Sequence, residues 1–259
     1  LVPGSLALIL ADHLPWQNVF FVTALFMLPG LAMTLLVAEP TVPGGPPRTL
    51  RAAVVEPFHE FIQRAGWQSA LLILCFIFLY NLGVYMATAL ATPFYLDLGF
   101  SKSEIGLIAK NAALWPAVLG GLLGGLWMLK IGINRGLWLF GIVQMVAILG
   151  FALLTRYPHD KVMLAGVIGL EAFGVGLGAA AFTAYVARTT NPLYTATQYA
   201  LFTSLASVPR TIISSRAGWI VEQLGWSNFF LLCFFLAVPG MLLLFKVAPW
   251  QAEDTSKAM

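Results

Sequence analysis

Three ionisable side chains stand inside apolar stretches of this 259-residue chain: Lys110, Glu171 and Arg210. Glu171 is the lone carboxylate in a run otherwise made of small and apolar residues, GLEAFGVGLGAAAF. A charge at the centre of a bilayer costs at least about 3 kcal/mol, so a membrane helix keeps one only against a partner or a wet cavity. In that setting Glu171 is expected to carry or sense a coupling proton, with Lys110 or Arg210 adjusting its proton affinity. A structural ion pair holding helices in register is the other reading, and the spacing leaves both open. Amides, hydroxyls and phenols accompany these charges: Asn81, Tyr85, Asn111, Gln198, Tyr199 and Thr203. They are expected to line a substrate cavity, because an amide inside a membrane must find hydrogen-bond partners or a ligand. Tyr80, Tyr85 and Tyr199 have rings that can stack on a sugar, with packed or interfacial roles as the alternative.

Other chemistries find no foothold. His13, His59 and His159 fall in three separate connections, without metal-ligand spacing. Cys75 and Cys233 sit in apolar helices and read as free thiols. No Ser/His, Cys/His or His/Asp set is grouped as an enzyme would need, and the connections are too short to form a receptor domain. An integral-membrane enzyme and a receptor are thus the distant alternatives, and neither a cofactor nor a metal is expected. The net charge is +3, yet the basic residues lie between apolar runs and form no patch interleaved with aromatics. A nucleic-acid partner is not expected.

The elements that must position these residues are membrane helices. Hydrophobic residues make up 59% of the chain and charged ones 10%, against about 45–50% and about 25% in soluble domains. Apolar segments at 17–38, 68–96, 104–129, 136–155, 162–187, 194–214 and 227–247 each approach the roughly 20 residues that cross about 30 Å of hydrocarbon. The chain opens on Leu, and residues 1–11 read as the end of an apolar helix that starts outside the sequence. A piece of a longer protein is therefore expected. Residues 39–67 form the longest polar connection, beginning with the linker-like EPTVPGGPPR. Its second half places Val54, Val55, Phe58, Phe61, Ile62 and Ala65 on one helical face. That pattern predicts a helix lying in the membrane interface, or else a solvated loop helix. Eight Lys and Arg fall on the side of this connection and four on the other, so the linker and the C-terminus are expected in the cytoplasm.

One internal repeat stands out. Leu14–Ala38 aligns without gaps on Leu224–Ala248, pairing Trp16 with Trp226, Asn18 with Asn228, Phe20 with Phe230 and Pro29–Gly30 with Pro239–Gly240. The offset of 210 residues spans six helices, so both copies point the same way across the membrane. A parallel six-helix repeat is the symmetry of the two halves of a major-facilitator transporter. Gly125, Lys130, Gly132 and Arg135 resemble that superfamily's G-x-x-x-D-R/K-x-G-x-R/K-R/K gating loop, with Leu129 in place of the Asp. The expected fold is therefore all-α integral membrane, a major-facilitator fold comprising helix six and the C-terminal bundle of helices seven to twelve. Residues 1–38 would end the N-terminal half, 39–67 form a cytoplasmic linker, 68–247 the six-helix bundle and 248–259 a cytoplasmic tail. The polar residues concentrate on helices seven, eight, ten and eleven, which face the central cavity in that architecture.

Thr92–Lys110 (TPFYLDLGFSKSEIGLIAK), the Gly120–Arg135 stretch, Ala196–Arg210 (ATQYALFTSLASVPR) and the following GWIVEQLGWSNFF resemble AmpG-type muropeptide permeases. The resemblance runs through nearly all of the chain. It implies a multi-pass permease of the bacterial inner membrane that imports anhydromuropeptides (GlcNAc–anhydroMurNAc with or without peptide) by proton symport. Such import serves cell-wall recycling and influences β-lactamase induction. Its partners would be the muropeptide, protons, the lipid bilayer and the N-terminal half of the same protein. The alternative within the superfamily is a carrier of acyl-CoA, a simple sugar or a drug.

Overall fold

A computed structural model describes residues 10, 14–37 and 49–250, without the side chains of residues 50–54, 110, 213 and 214. The expected helix end at 1–11, the Pro/Gly cluster at 39–48 and the tail beyond 250 thus lie largely outside the described residues. The chain divides into two compact units, 1–45 and 46–259.

In the first unit α1 (Trp16–Leu25) and α2 (Leu28–Leu36) replace the single helix expected at 17–38. The break falls at Phe26–Met27, just before Pro29 in the first turn of α2. A proline is tolerated there because the N–H it lacks would have had no intrahelical partner.

The second unit begins with α3 (Leu50–Ala65), followed by α4 (Trp67–Leu79), α5 (Leu82–Ala89) and α6 (Ala91–Asp97). The last three together make the expected helix seven, broken at Tyr80–Asn81 and at Leu90. Then come α7 (Lys102–Leu154), α8 (Lys161–Thr189), a short 3-10 turn (Pro192–Tyr194) and α9 (Thr195–Val247). Both α7 and α9 are pairs of helices joined at a corner, Gly132 (φ 81°, ψ 163°) in one and Gly225 (φ 74°, ψ 163°) in the other. Gly66, between α3 and α4, has the same backbone state (φ 77°, ψ 149°). That region is essentially closed to side chains with a Cβ, which explains why each corner is a glycine. The connections expected at 130–135 and 215–226 therefore shrink to single residues.

Helices Trp67–Asp97, Lys102–Leu154, Lys161–Thr189 and Ser215–Val247 of this unit, and Trp16–Leu36 of the first, are long and apolar enough to cross a membrane. Among the described residues the fold is all-helical. Side chains such as Leu107, Trp115, Leu122, Leu129, Phe235, Leu242 and Phe245 are exposed, as suits a surface bathed in lipid.

Two aromatic-rich cores stack along the bundle. One gathers Phe61, Phe76, Tyr80, Phe140, Tyr185 and Phe202; the other gathers Phe94, Phe100, Phe151, Phe229 and Phe230. Between α7 and α8 the packing depends on glycines. A Cβ on Gly120 would run into the Phe173 carbonyl, and one on Gly176 into the Ala117 carbonyl, so the two backbones touch. This is the close approach that small residues allow in membranes.

Candidate functional site

The expected α3 helix is docked rather than lying apart from the bundle. Of its apolar face, Phe61 is buried, meeting Phe202 of α9 with ring centres 5.0 Å apart, while Ile62 and Ala65 pack on the same core. Val55 and Phe58 remain exposed. A polar hub fixes the docking. Gln198 Nε2 donates to the Pro57 carbonyl (2.9 Å) and to Glu60 Oε2 (2.7 Å), and its Oε1 accepts from the Asn191 N–H (2.7 Å). Asn191 Nδ2 and Arg64 Nε both donate to Glu60 Oε1, at 2.7 and 2.8 Å. Arg64 also donates to the Thr189 carbonyl (2.8 Å). Burial alone would raise the Glu60 carboxyl above its ordinary value; the bonds from Asn191, Gln198 and Arg64 outweigh it and hold it below. Gln198, expected on a substrate cavity, is 1% exposed with both ends of its amide engaged in this hub. Sequence reading missed Glu60, Asn191 and Arg64; the i, i+4 spacing of Glu60 and Arg64 was the only local signal.

The gating-loop residues stand on the same rim. Gly132 is the corner of α7, Gly125 lies one helical stretch before it, and Lys130 is exposed. Arg135 donates to the Trp250 carbonyl (3.4 Å) and sits 5.8 Å over the Trp250 ring. Beside it Trp138 donates to the Ala248 carbonyl (3.1 Å), and Asn134 bridges Arg188 to the Pro249 carbonyl. The loop thus clasps residues 248–250. On the opposite rim Ser101 and Glu104 form a reciprocal cap on α7, Glu104 pairs with Lys161 (2.7 Å), and Trp226 donates to Asp97 (3.0 Å).

Glu171 lies between the two rims, about 15 Å into α8 at 1.5 Å per residue. Its stripe, with Val167, Gly174 and Gly178, faces the second arm of α7: a Cβ on Gly150 would touch Val167, and Cβ atoms on Gly174 and Gly178 would meet Gln144. The Gly174–Gly178 pair is therefore a packing feature. Glu171 lines a cavity of about 10 Å³ with Val84, Thr88, Gln144, Ile148 and Phe151, room for about one water. Gln144 donates to the Gly174 carbonyl (3.2 Å). Among the described residues Glu171 has no ion-pair partner.

The single network expected of Glu171, Lys110 and Arg210 is not drawn together by the described residues. Arg210 is exposed on α9, while Asn81 caps α5 and Tyr85 lies within it. The Lys110 side chain lies outside the described residues, and the arm bearing it packs on a different stripe of α8, at Gly169, Phe173 and Gly176. Asn111 is exposed and bonds back to the Leu107 carbonyl (2.7 Å); Thr203 does the same to Tyr199 (2.8 Å), and Tyr199 leans on the core. Tyr80 is committed to packing: it stacks on Phe182 and donates to the Leu137 carbonyl (2.9 Å). Cys75 and Cys233 are free thiols.

Together these elements make a membrane-embedded helical bundle with polar groups between its rims, a glycine-cornered basic loop and a docked linker helix. The chain belongs to the Major Facilitator Superfamily, whose family model matches residues 71–258. Its similarities within that superfamily are to permeases of the AmpG group. It is 38% identical over 246 residues to the anhydromuropeptide permease of Escherichia coli, covering 94% of this chain and 50% of that protein. An AmpG-named transporter of Rickettsia conorii is 33% identical over 251 residues, covering 94% of this chain and 60% of its own length. An uncharacterized protein of Haemophilus influenzae is 48% identical over 263 residues, covering 98% of this chain and 62% of its own. The chain thus spans about two-fifths to three-fifths of the length of the curated relatives it matches.

Proposed function

We propose that the full-length protein imports anhydromuropeptides across the bacterial inner membrane by proton symport, for cell-wall recycling. The observation that carries this reading is the similarity to the Escherichia coli anhydromuropeptide permease along almost the whole chain. In this reading residues 1–38 close the N-terminal half, 39–67 link the halves in the cytoplasm, 68–247 form the C-terminal half, and the tail from 248 is cytoplasmic. Asn81, Tyr85, Asn111, Tyr199 and Thr203 face the substrate path, while Gln198 supports it from the hub. Glu171 is the proton-binding residue: a carboxylate without a counter-ion among the described residues, in a cavity of one water's volume, is held at low cost only when it can exchange a proton.

The test is uptake of labelled GlcNAc–anhydroMurNAc into vesicles containing the full-length protein, with and without an imposed proton gradient. Gradient-driven accumulation is expected, and Glu171→Gln should reduce it to equilibration while leaving counterflow exchange intact. Accumulation by Glu171→Gln equal to wild type would remove the coupling role. Absence of any uptake by folded, inserted protein would remove the substrate.

A further inference from the structure

On the second arm of α7, Gln144 is the one polar side chain between Gly136 and Leu154 apart from the Trp138 indole, and it is 5% exposed. An amide carries two N–H donors and an oxygen that can accept twice, so burying it among apolar side chains is costly unless those atoms are used. Its Nε2 donates to the Gly174 carbonyl of α8 at 3.2 Å. Only the NH2 end can make that bond, which fixes the amide's orientation and leaves Oε1 without a donor among the described residues. The slot is shaped for this side chain: a Cβ on Gly178 would run into Nε2, and one on Gly174 would rest on Gln144 Cα at 3.5 Å.

Glu171, one turn before Gly174, is equally uncommitted. Among the described residues neither a hydrogen bond nor an ion pair reaches its carboxyl. Gln144 and Glu171 line the same cavity of about 10 Å³, and Thr88 of α5 is the third polar side chain in its wall. Thr88 spends its hydroxyl hydrogen on the Val84 carbonyl (2.8 Å), so toward the cavity it can only accept. The rest of the lining is apolar, and the surrounding core adds Tyr95 and Cys233 as titratable side chains. A space of this size holds one water when two to four polar groups receive it. With Glu171 ionised all three groups are acceptors, and a water can donate to Gln144 Oε1 and to the carboxylate at once. With Glu171 protonated, its O–H donates to the water, which keeps its bond to Gln144. Either way the amide oxygen is satisfied.

We propose that Gln144 is a positioning residue whose Oε1 anchors a single water against Glu171, so that the carboxyl keeps a hydrogen-bond partner in both protonation states. This rests on the reading of Glu171 as the proton-binding residue and adds the group that spares it a bare, dry ionised form, the costly state for a buried carboxylate.

The test is infrared difference spectroscopy of the full-length protein in lipid nanodiscs across pH, with the protonated Glu171 band assigned by its loss in Glu171→Gln. Hydrogen bonding lowers the C=O stretch of a carboxylic acid. Gln144→Leu, which keeps the bulk and removes the anchor, should therefore move the band to higher wavenumber. Ala147→Val leaves the amide intact, fills the cavity from its wall and should move the band the same way. Gradient-driven uptake of labelled GlcNAc–anhydroMurNAc by Gln144→Leu should fall severalfold, with counterflow exchange unchanged. A band unmoved in either variant, undiminished gradient-driven uptake in Gln144→Leu, or a loss shared equally by counterflow overturns the anchor and leaves Glu171 as the proton site. Absence of a protonated Glu171 band at every pH overturns the proton-binding reading and the anchor with it.

Discussion

Glu60 is the residue through which α3 is held to the bundle, so removing its carboxylate should free that helix without disturbing the rest. Its two oxygens receive Asn191 Nδ2, Gln198 Nε2 and Arg64 Nε, all within 2.8 Å. Hydrogen bonds to a charged group contribute about 1.5–3 kcal/mol each when protected from water. The Arg64 side chain is 43% exposed, so its share falls to about 0.5 kcal/mol. Gln198 keeps its second bond, to the Pro57 carbonyl, which trims its share as well. The sum for Glu60→Ala is about 2–3 kcal/mol in the opening of α3. At 1.4 kcal/mol per tenfold, amide hydrogen exchange across residues 50–65 should accelerate about 30- to 150-fold. Glu60→Gln keeps one acceptor oxygen and should show about a tenfold acceleration. The assay is exchange mass spectrometry on the full-length protein in nanodiscs, with peptides from the second arm of α9 as the internal reference. Unchanged exchange in residues 50–65 would refute the hub, and equal acceleration in the reference peptides would show global loosening instead. The pH dependence has a definite sign. Because the Glu60 pKa is lowered from 4.5, the folded state favours the ionised form, so the contribution is complete above about pH 5 and is lost as pH falls below 4.5 through the lowered value. Protection of α3 should therefore be flat from neutral pH to about 5 and drop only in stronger acid.

Two further substitutions test the backbone logic. At Gly225 an added Cβ would meet nothing within 4 Å, so Gly225→Ala isolates the cost of a side chain at φ 74°; about 1–3 kcal/mol should lower the thermal unfolding midpoint by several degrees, and an unchanged midpoint would contradict the corner geometry. Gly176→Ala forces a methyl into the Ala117 carbonyl, whereas Gly121→Ala points into open space. The first should cost about 1–3 kcal/mol and the second essentially nothing, and equal midpoints for the two would contradict the α7–α8 contact.

Much of the architecture was legible because hydrophobic length and glycine placement are local signals. The apolar runs located the membrane helices, and the Gly132 of the gating-loop resemblance became a corner that only glycine accepts. The two tryptophans paired by the repeat stand at comparable places: α1 starts at Trp16, and Trp226 follows the Gly225 corner. The breaks inside helix seven were not legible, since nothing in IFLYNLGVYM marks where tertiary packing interrupts the ladder. The site was read less well. Gln198 looked like a cavity amide, but its partners Pro57 and Glu60 are 141 and 138 residues away, beyond any spacing rule. Glu171, Lys110 and Arg210 were grouped as charges inside apolar runs; that much is readable from sequence, whereas the face each occupies depends on neighbours that only packing supplies.

The compact unit that holds the bundle begins at Pro46, not at the first residue of α4. Anyone dividing the gene for two-piece expression should therefore cut upstream of residue 46. A cut at 67, which hydropathy alone would recommend, leaves Gln198, Asn191 and the Thr189 carbonyl facing the vacancy left by α3, together with a bare Phe202 ring. A cut before 46 keeps Pro57, Glu60, Arg64, Thr189, Asn191 and Gln198 on one polypeptide.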